Sequence, residues 1–132
     1  YETRLSGPLR DRIDLIVEVA SVPLVTLTDA PAGESSAAVR ARVLEARNRQ
    51  AARYAGSRIR TNADLHGGMS QQYCEPTAPA KQLLRKAAER LRLTARGYDR
   101  VLKVARTLAD LAGVDYVEAD HVVEALQYRL ME

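Results

Sequence analysis

Arg96 combines a charge and a position that suit anion binding. Thr94 precedes an apolar pattern of helical period, so we expect it to cap a helix with Arg96 at about the second position. A positive side chain is unfavourable there, because free N–H groups and the helix macrodipole already make that end positive. Guanidinium and N–H groups together could bind one anion, and a triphosphate is the natural candidate. The alternative is a solvated arginine. Gly97 costs ~1 kcal/mol relative to alanine in a helix, which close approach of a ligand or backbone would explain.

Arg12 lies where a short predicted helix meets a predicted strand, a junction that can aim a side chain rigidly out of the edge of a domain. From there it could reach a nucleotide held by a neighbouring subunit. An arginine supplied in this way stabilises charge on a transferred phosphoryl group, and can raise the rate by roughly 10³ to 10⁵ in the best-studied GTPases. The alternative is a local ion pair with Asp11, Asp14 or Glu18.

The segment from Arg40 to Arg60 is the most basic in the chain. Against a single acid, Glu45, it carries the arginines at positions 40, 42, 47, 49, 53, 58 and 60. Arg42, Arg49 and Arg53 share one face of a predicted helix at i, i+7 and i+11, which predicts a stripe of charge suited to a nucleic-acid strand. A solvated helix face is the alternative.

Other kinds of site lack support in the sequence. His66 and His121 are far apart, and Cys74 has no neighbour at metal-ligand spacing, so no zinc site is predicted. No pair of acids stands out as a general acid and base, and no serine or thiol nucleophile is indicated. The phosphate-binding pattern G-x-x-x-x-G-K-[ST] does not occur. The chain therefore carries no complete active site of its own.

Helical periodicity dominates from residue 34 onwards. It predicts helices over residues 34–54, 69–74, 77–91, 94–112 and 118–130, joined by a flexible, glycine-containing connection over residues 55–68. Ser35 or Ser36, Thr77 and Thr94 are the expected N-caps, and Gly113 is the expected stop of the strongest helix. The first of these helices carries an apolar stripe through Val39, Val43 and Ala46.

The first 33 residues follow a different pattern. Ser6 and Pro8 predict a short helix to about Arg12, and strict alternation over residues 13–19 predicts a strand. One strand alone has no partner for its backbone hydrogen bonds, so we expect its sheet on a segment outside this chain. The next stretch, residues 23–33, has the composition of a loop. The predicted fold is therefore mainly α, preceded by a helix and strand that belong to a larger α/β unit.

Composition places few further limits on function. The 132 residues suit one domain, and the net charge of +3 permits contact with phosphates without requiring it. A single cysteine and no apolar run long enough to span a bilayer predict a cytoplasmic protein without membrane contact. A first residue that is Tyr1 rather than methionine, with no leader pattern, predicts a truncated N-terminus.

Four ordered blocks give the chain a family resemblance. They are RLSGPLRDRIDLIVEV, GESSAAVRARVLEARNRQ, LTARGYDRVLKVARTLADLAG and HVVEALQYR. Together they resemble the C-terminal part of the magnesium-chelatase-like AAA+ ATPases of the ComM or YifB family. Arg10 stands where the family usually has a second aliphatic residue, and Glu118-Ala119 replaces a proline-containing helix start. Neither departure touches the inferred sites.

The resemblance implies roles for both arginines. Arg12 matches the arginine finger, which acts in trans, and Arg96 matches the sensor-2 arginine that contacts nucleotide in its own subunit. Residues 1–33 would then be the end of an AAA+ α/β core, and residues 34–132 a helical lid. The parent protein would bind ATP and Mg²⁺ through its upstream core and form a homo-hexameric ring, whereas this fragment alone would bind neither and would be inactive.

Three functional hypotheses remain open from the sequence. Similarity to the ComM group implies a motor coupling ATP hydrolysis to DNA remodelling or branch migration. A stand-alone helical DNA-binding module using Arg42, Arg49 and Arg53 is a second hypothesis. The ATPase subunit of a magnesium chelatase is the third, because the chelatase subunits are closely similar.

Overall fold

The computed structural model describes residues 6–129, and the regular structure in that part of the chain is helical. The helices are α1 (Gly7–Arg10), α2 (Leu24–Asp29), α3 (Ser36–Arg53), α4 (Gly68–Cys74), α5 (Ala78–Arg90), α6 (Ala95–Ala112) and α7 (Ala119–Gln127), with a 3₁₀ turn at Asn62–Asp64. Within the described residues, β pairing is confined to one bridge between Pro76 and Val117. The mainly α prediction is confirmed.

Side-chain caps fix the starts of the three longest helices. The hydroxyl of Ser35 accepts from the Ala38 N–H at 3.2 Å, and Thr94 accepts from Gly97 at 3.0 Å. Thr77 caps α5 in the same way. Gly113 ends α6 at φ 75°, a left-handed conformation that glycine adopts without steric cost. These predicted boundaries are therefore confirmed.

α6 is the central helix of the bundle. It packs against α3, α4 and α7, while α5 packs against α7. The buried apolar residues of the core come from all these elements and include Tyr54, Leu65, Leu84, Val101, Leu102, Ala105, Ala109, Val117, Val122 and Ala125. Because α6 supplies the largest share, its position is set along most of its length.

The N-terminal third departs from the prediction in three places. Residues 13–19 form no strand, and Val17 and Val19 are 62% and 87% exposed, because the described residues offer no partner strand. The loop prediction for residues 23–33 is wrong over α2, which starts directly after Pro23, a residue preset for a first helical turn. The stripe on α3 is buried only at Ala46, since the first half of that helix extends beyond the core.

The two remaining differences lie at connections. The predicted flexible stretch 55–68 contains the 3₁₀ turn, where the Asp64 carboxylate accepts from the Arg60 and Thr61 N–H groups at 2.9 and 3.1 Å. These backbone hydrogen bonds lower the pKa of Asp64. At the other end, α7 ends at Gln127, and Leu130, the predicted end, lies outside the described residues.

A buried polar network holds α3, the 3₁₀ turn and α6 together. The Asp110 carboxylate, 1% exposed, accepts from Arg106 Nε at 3.2 Å, from Arg53 Nη1 at 3.0 Å and from Asn62 Nδ2 at 2.9 Å. Asn62 Oδ1 in turn accepts from the Tyr54 hydroxyl at 2.6 Å. Every charge in this network has a partner, as burial requires.

Arg106 also closes the end of α6. Its guanidinium donates to the carbonyl oxygens of Val114, at 2.8 Å, and of Asp115. Burial lowers the pKa of Arg106, and the charge of Asp110 opposes that shift. Arg106 therefore connects Asp110, one turn later in α6, to the chain that follows the helix.

Asp110→Ala removes the only carboxylate in this network and leaves two arginine charges without a partner. Breaking a buried ion pair in this way costs about 3–5 kcal/mol, so we expect a loss of that size in the free energy of unfolding, measured in urea. Asp115→Ala is the control, because its side chain is 85% exposed and the expected change is within about 0.5 kcal/mol. A loss below about 1 kcal/mol for Asp110→Ala would contradict the assigned role.

Because Cys74 is buried, we expect the free energy of unfolding to fall at alkaline pH. Burial raises the pKa of its thiol from 9.0 to about 12. The folded state therefore favours the protonated thiol, and this contribution is complete below pH 9 and is lost as the pH rises towards about 12. We expect the stability of the wild type to fall more steeply than that of Cys74→Ala in this range, by up to about 1.4 kcal/mol per pH unit. Parallel unfolding free energies against pH would contradict this expectation.

Candidate functional site

Arg96 lies where the sequence predicts it, as the second residue of α6 after the Thr94 cap. Its side chain is exposed, and it forms no ion pair with any residue in the described range 6–129. A cleft of about 570 Å³ opens beside it, with Gly67, Gln71 and Tyr98 among its lining residues. The first turn of α6 therefore presents a free guanidinium next to an accessible cleft.

Gly97 is buried against two side chains of the same chain. A Cβ at this position would lie 3.4 Å from Arg129 Nη2 and 3.4 Å from Thr94 Oγ1. The side chains of Arg129 and Thr94 therefore lie against Gly97, and the close approach of a ligand there stays a prediction.

The segment that carries Arg12 lies against the start of α6 and the end of α7. The Asp11 carboxylate accepts from the Thr94 hydroxyl at 3.0 Å and from Arg129 Nη2 at 3.3 Å. Asp14 forms an ion pair with Arg100 on α6. The two arginines singled out by the sequence are thus carried by elements that contact each other directly.

Arg12 itself is exposed, and the local ion pairs considered as an alternative do not form. Asp11 and Asp14 are engaged with residues of α6 and with Arg129, and no pair joins Arg12 to Glu18. Sequence reasoning did not identify Arg100 or Arg129, because both pair with residues more than 80 positions away. No local spacing encodes such contacts.

The predicted stripe of Arg42, Arg49 and Arg53 is paired within the chain. Arg42 donates to Glu34 at 3.0 Å, Arg49 to Asp115 at 3.5 Å and Arg53 to Asp110. Burial lowers the pKa of Arg53, but the hydrogen bond and charge of Asp110 outweigh it, and the pKa is raised overall. Contact of this stripe with nucleic acid stays a prediction, and phosphates would have to replace these carboxylates.

The other arginines of the basic segment are exposed. Arg40, Arg47, Arg58 and Arg60 form no ion pair with another described residue. Arg47 lines a cleft with Thr61 and Ala63, beside the 3₁₀ turn that Arg60 precedes. Two separate parts of the basic segment therefore lie beside the 3₁₀ turn.

No three His, Cys, Asp or Glu side chains in the described range come together as a metal site. No helix there is both long enough and apolar enough to cross a membrane.

Comparison with known proteins identifies the family. Residues 33–129 match the family model described as magnesium chelatase, subunit ChlI C-terminal. The chain belongs to this family. It is 42% identical over 132 residues to competence protein ComM of Haemophilus influenzae, covering 99% of this chain and 25% of that protein. The predicted resemblance to a C-terminal magnesium-chelatase-like segment is confirmed.

Further members of this group are similar over the whole chain. YifB of Escherichia coli is 38% identical over 134 residues, covering 100% of this chain and 26% of YifB. Rv2897c of Mycobacterium tuberculosis is 41% identical over 129 residues, with coverages of 98% and 25%. The chain thus spans about a quarter of the length of these relatives.

Proposed function

We propose that this chain is the helical lid of a magnesium-chelatase-like AAA+ ATPase and completes an ATP site formed with an upstream core. The observation that carries the proposal is Arg96, exposed and free of ion pairs with described residues at the capped start of α6, beside a cleft. Guanidinium and helix N–H groups together suit a phosphate chain. Membership of the ChlI C-terminal family supports the same role.

Each arginine has a distinct task in this proposal. Arg96 binds the phosphates of ATP held by its own subunit, and its planar fork can donate two parallel hydrogen bonds to them. Arg12, in the segment that precedes the lid, contacts the ATP of the next subunit in a hexameric ring, where its charge offsets negative charge that develops during hydrolysis. Both are exposed, which these tasks require.

ATP is the substrate in this proposal, and Mg²⁺ would neutralise its phosphates. The described residues bring together no group of carboxylates that fits Mg²⁺. Holding the ion therefore falls to the upstream core, and we assign no step of it to this chain. The 132-residue chain alone is expected to have negligible turnover.

Arg12→Ala and Arg96→Ala in the full-length protein test the proposal. We expect each to lower kcat for ATP hydrolysis by a factor on the order of 10² or more, because each removes a charge that contacts phosphate. Arg96→Ala should also weaken nucleotide binding, whereas Arg12→Ala should leave the affinity of its own site unchanged. Rings mixed from the two variants should regain part of the activity, because some interfaces then contain both arginines.

Arg90→Ala is the matched control, since Arg90 is an exposed arginine on α5 without an ion pair to a described residue. Its turnover should equal that of the wild type. Normal turnover in both Arg12→Ala and Arg96→Ala would refute the proposed ATP-site role. Stimulation of the wild type by forked DNA would favour a DNA motor, and dependence on a porphyrin-binding partner would favour a chelatase subunit.

A second candidate function is direct contact with DNA. The exposed arginines Arg40, Arg47, Arg58 and Arg60 support it, because none of them forms an ion pair with a described residue. Arg47 lines a cleft with Thr61, the residue after Arg60, so two of these arginines belong to the same part of the surface. This surface differs from the stripe predicted from the sequence and could serve either a stand-alone module or the motor.

Salt dependence of duplex DNA binding separates the two sets of arginines. Each phosphate contact contributes about 0.9 to the slope of log K against log salt. We expect Arg47→Ala combined with Arg60→Ala to reduce this slope by about 1.8 units, and Arg42→Ala combined with Arg49→Ala to change it much less. If Arg42→Ala combined with Arg49→Ala reduces the slope as much or more, the stripe predicted from the sequence binds DNA instead. If neither pair changes the slope, the segment from Arg40 to Arg60 does not contact DNA phosphates.

A further inference from the structure

We propose that Asp11 is a positioning residue that couples the start of α6 to Arg12, through a group we call the Asp11 clasp: Asp11, Thr94 and Arg129. This inference rests on the proposed function and adds a part to it. Arg12 would be aimed at the neighbouring nucleotide by the same helix whose Arg96 binds the nucleotide of its own subunit.

Both oxygens of the Asp11 carboxylate are used in the clasp. Oδ2 accepts from the Thr94 hydroxyl at 3.0 Å, and Oδ1 accepts from Arg129 Nη2 at 3.3 Å. The same Thr94 hydroxyl oxygen accepts the Gly97 N–H at 3.0 Å. One side-chain oxygen therefore joins the first turn of α6 to the carboxylate next to Arg12.

Arg129 fixes the clasp from its other side. Its Nη1 donates to the carbonyl oxygen of Ile13 at 3.4 Å, so the guanidinium contacts the chain on both sides of Arg12. It also lies against Gly97, where a Cβ would be 3.4 Å from Nη2. With side chains of Arg129 and Asp11 that are 12% and 24% exposed, the pair is partly shielded from solvent.

Two further contacts hold the same segment. Asp14 pairs with Arg100 one turn further along α6, and the Ile16 N–H donates to the Tyr128 carbonyl at 3.0 Å. The backbone is thus anchored before and after Arg12, while the Arg12 side chain is exposed and forms no ion pair with a described residue. Such an arrangement fixes the Cα of Arg12 and leaves its guanidinium accessible.

The position of the clasp gives it a functional consequence. A phosphate bound at Arg96 attracts the N–H groups of the first turn of α6, and Thr94 belongs to that turn. A shift of this turn is passed through the Thr94–Asp11 hydrogen bond to the backbone that carries Arg12. A misplacement of 1 Å in a group that stabilises a transition state can cost about 10²-fold in rate.

The test uses the full-length protein with Asp11→Ala and Asp11→Asn, and Glu18→Ala as the matched control. Glu18 is an exposed acid in the same segment without an ion pair to a described residue. We expect Asp11→Ala to lower kcat by about 10-fold to 100-fold with unchanged nucleotide affinity, because the site of its own subunit keeps Arg96. Asp11→Asn should lie in between, since its amide oxygen still accepts from Thr94. Glu18→Ala should behave as the wild type.

Amide hydrogen exchange gives a readout that does not depend on turnover. In the wild type, binding of a non-hydrolysable ATP analogue should slow exchange over residues 9–16. In Asp11→Ala that slowing should be lost, although the analogue still binds. If Asp11→Ala does not assemble, the same comparison is made with Asp11→Asn, which keeps the size of the side chain but replaces one accepting oxygen with an NH2 donor and removes the charge that faces Arg129; part of the slowing should then be lost.

A mutant cycle separates the clasp from the proposed function. If Asp11 acts through Arg12, Asp11→Ala should lower kcat no further in an Arg12→Ala background. An additional loss there would overturn the positioning role, as would normal kcat in Asp11→Ala when Arg12→Ala is impaired. Normal kcat in Arg12→Ala would instead reject the finger role of Arg12, and the clasp would fall with it.

Discussion

Asp110 is a buried carboxylate that faces two arginines and an asparagine from three parts of the chain. Removing one charge from water is costly, and the cost is recovered only when every partner stays in place. α3, the 3₁₀ turn and α6 must therefore keep their relative positions, or a charge loses its partner. The apolar core alone, built largely of small and aliphatic side chains, would define these positions less closely.

Both ends of α6 depend on this arrangement. Arg106 joins its C-terminal half to the chain that follows, while Thr94 and Arg96 lie ten or more residues earlier, about 15 Å away at 1.5 Å per residue. A helix held at one end and packed along its length moves as a unit. Its exposed first turn can therefore present Arg96 in a fixed direction without any local reinforcement beyond the Thr94 cap and the Asp11 clasp.

The sequence correctly predicted the features that depend on neighbouring residues alone. The caps at Ser35, Thr77 and Thr94 and the stop at Gly113 follow from hydrogen bonds and conformations within a few residues, and all four are confirmed. The acidic partner of Arg53 lies 57 residues away and the partners of the Asp11 carboxylate lie 83 or more residues away, so spacing could not identify them. The strand predicted over residues 13–19 does not form among the described residues for a related reason: alternation marks a capacity to pair, and the expected partner strands lie outside this chain.

The exposed apolar residues that follow Arg12 give a further reason to place Arg12 at a boundary between two parts of the parent protein. Val17, Val19, Leu24, Val25 and Leu27 are each more than half exposed, and apolar surface concentrated in one stretch is unusual on a finished protein surface. On the proposed function, this stretch meets the upstream core of the parent protein. Arg12 then lies between two attachments, the Asp11 clasp on the lid and the apolar segment on the core.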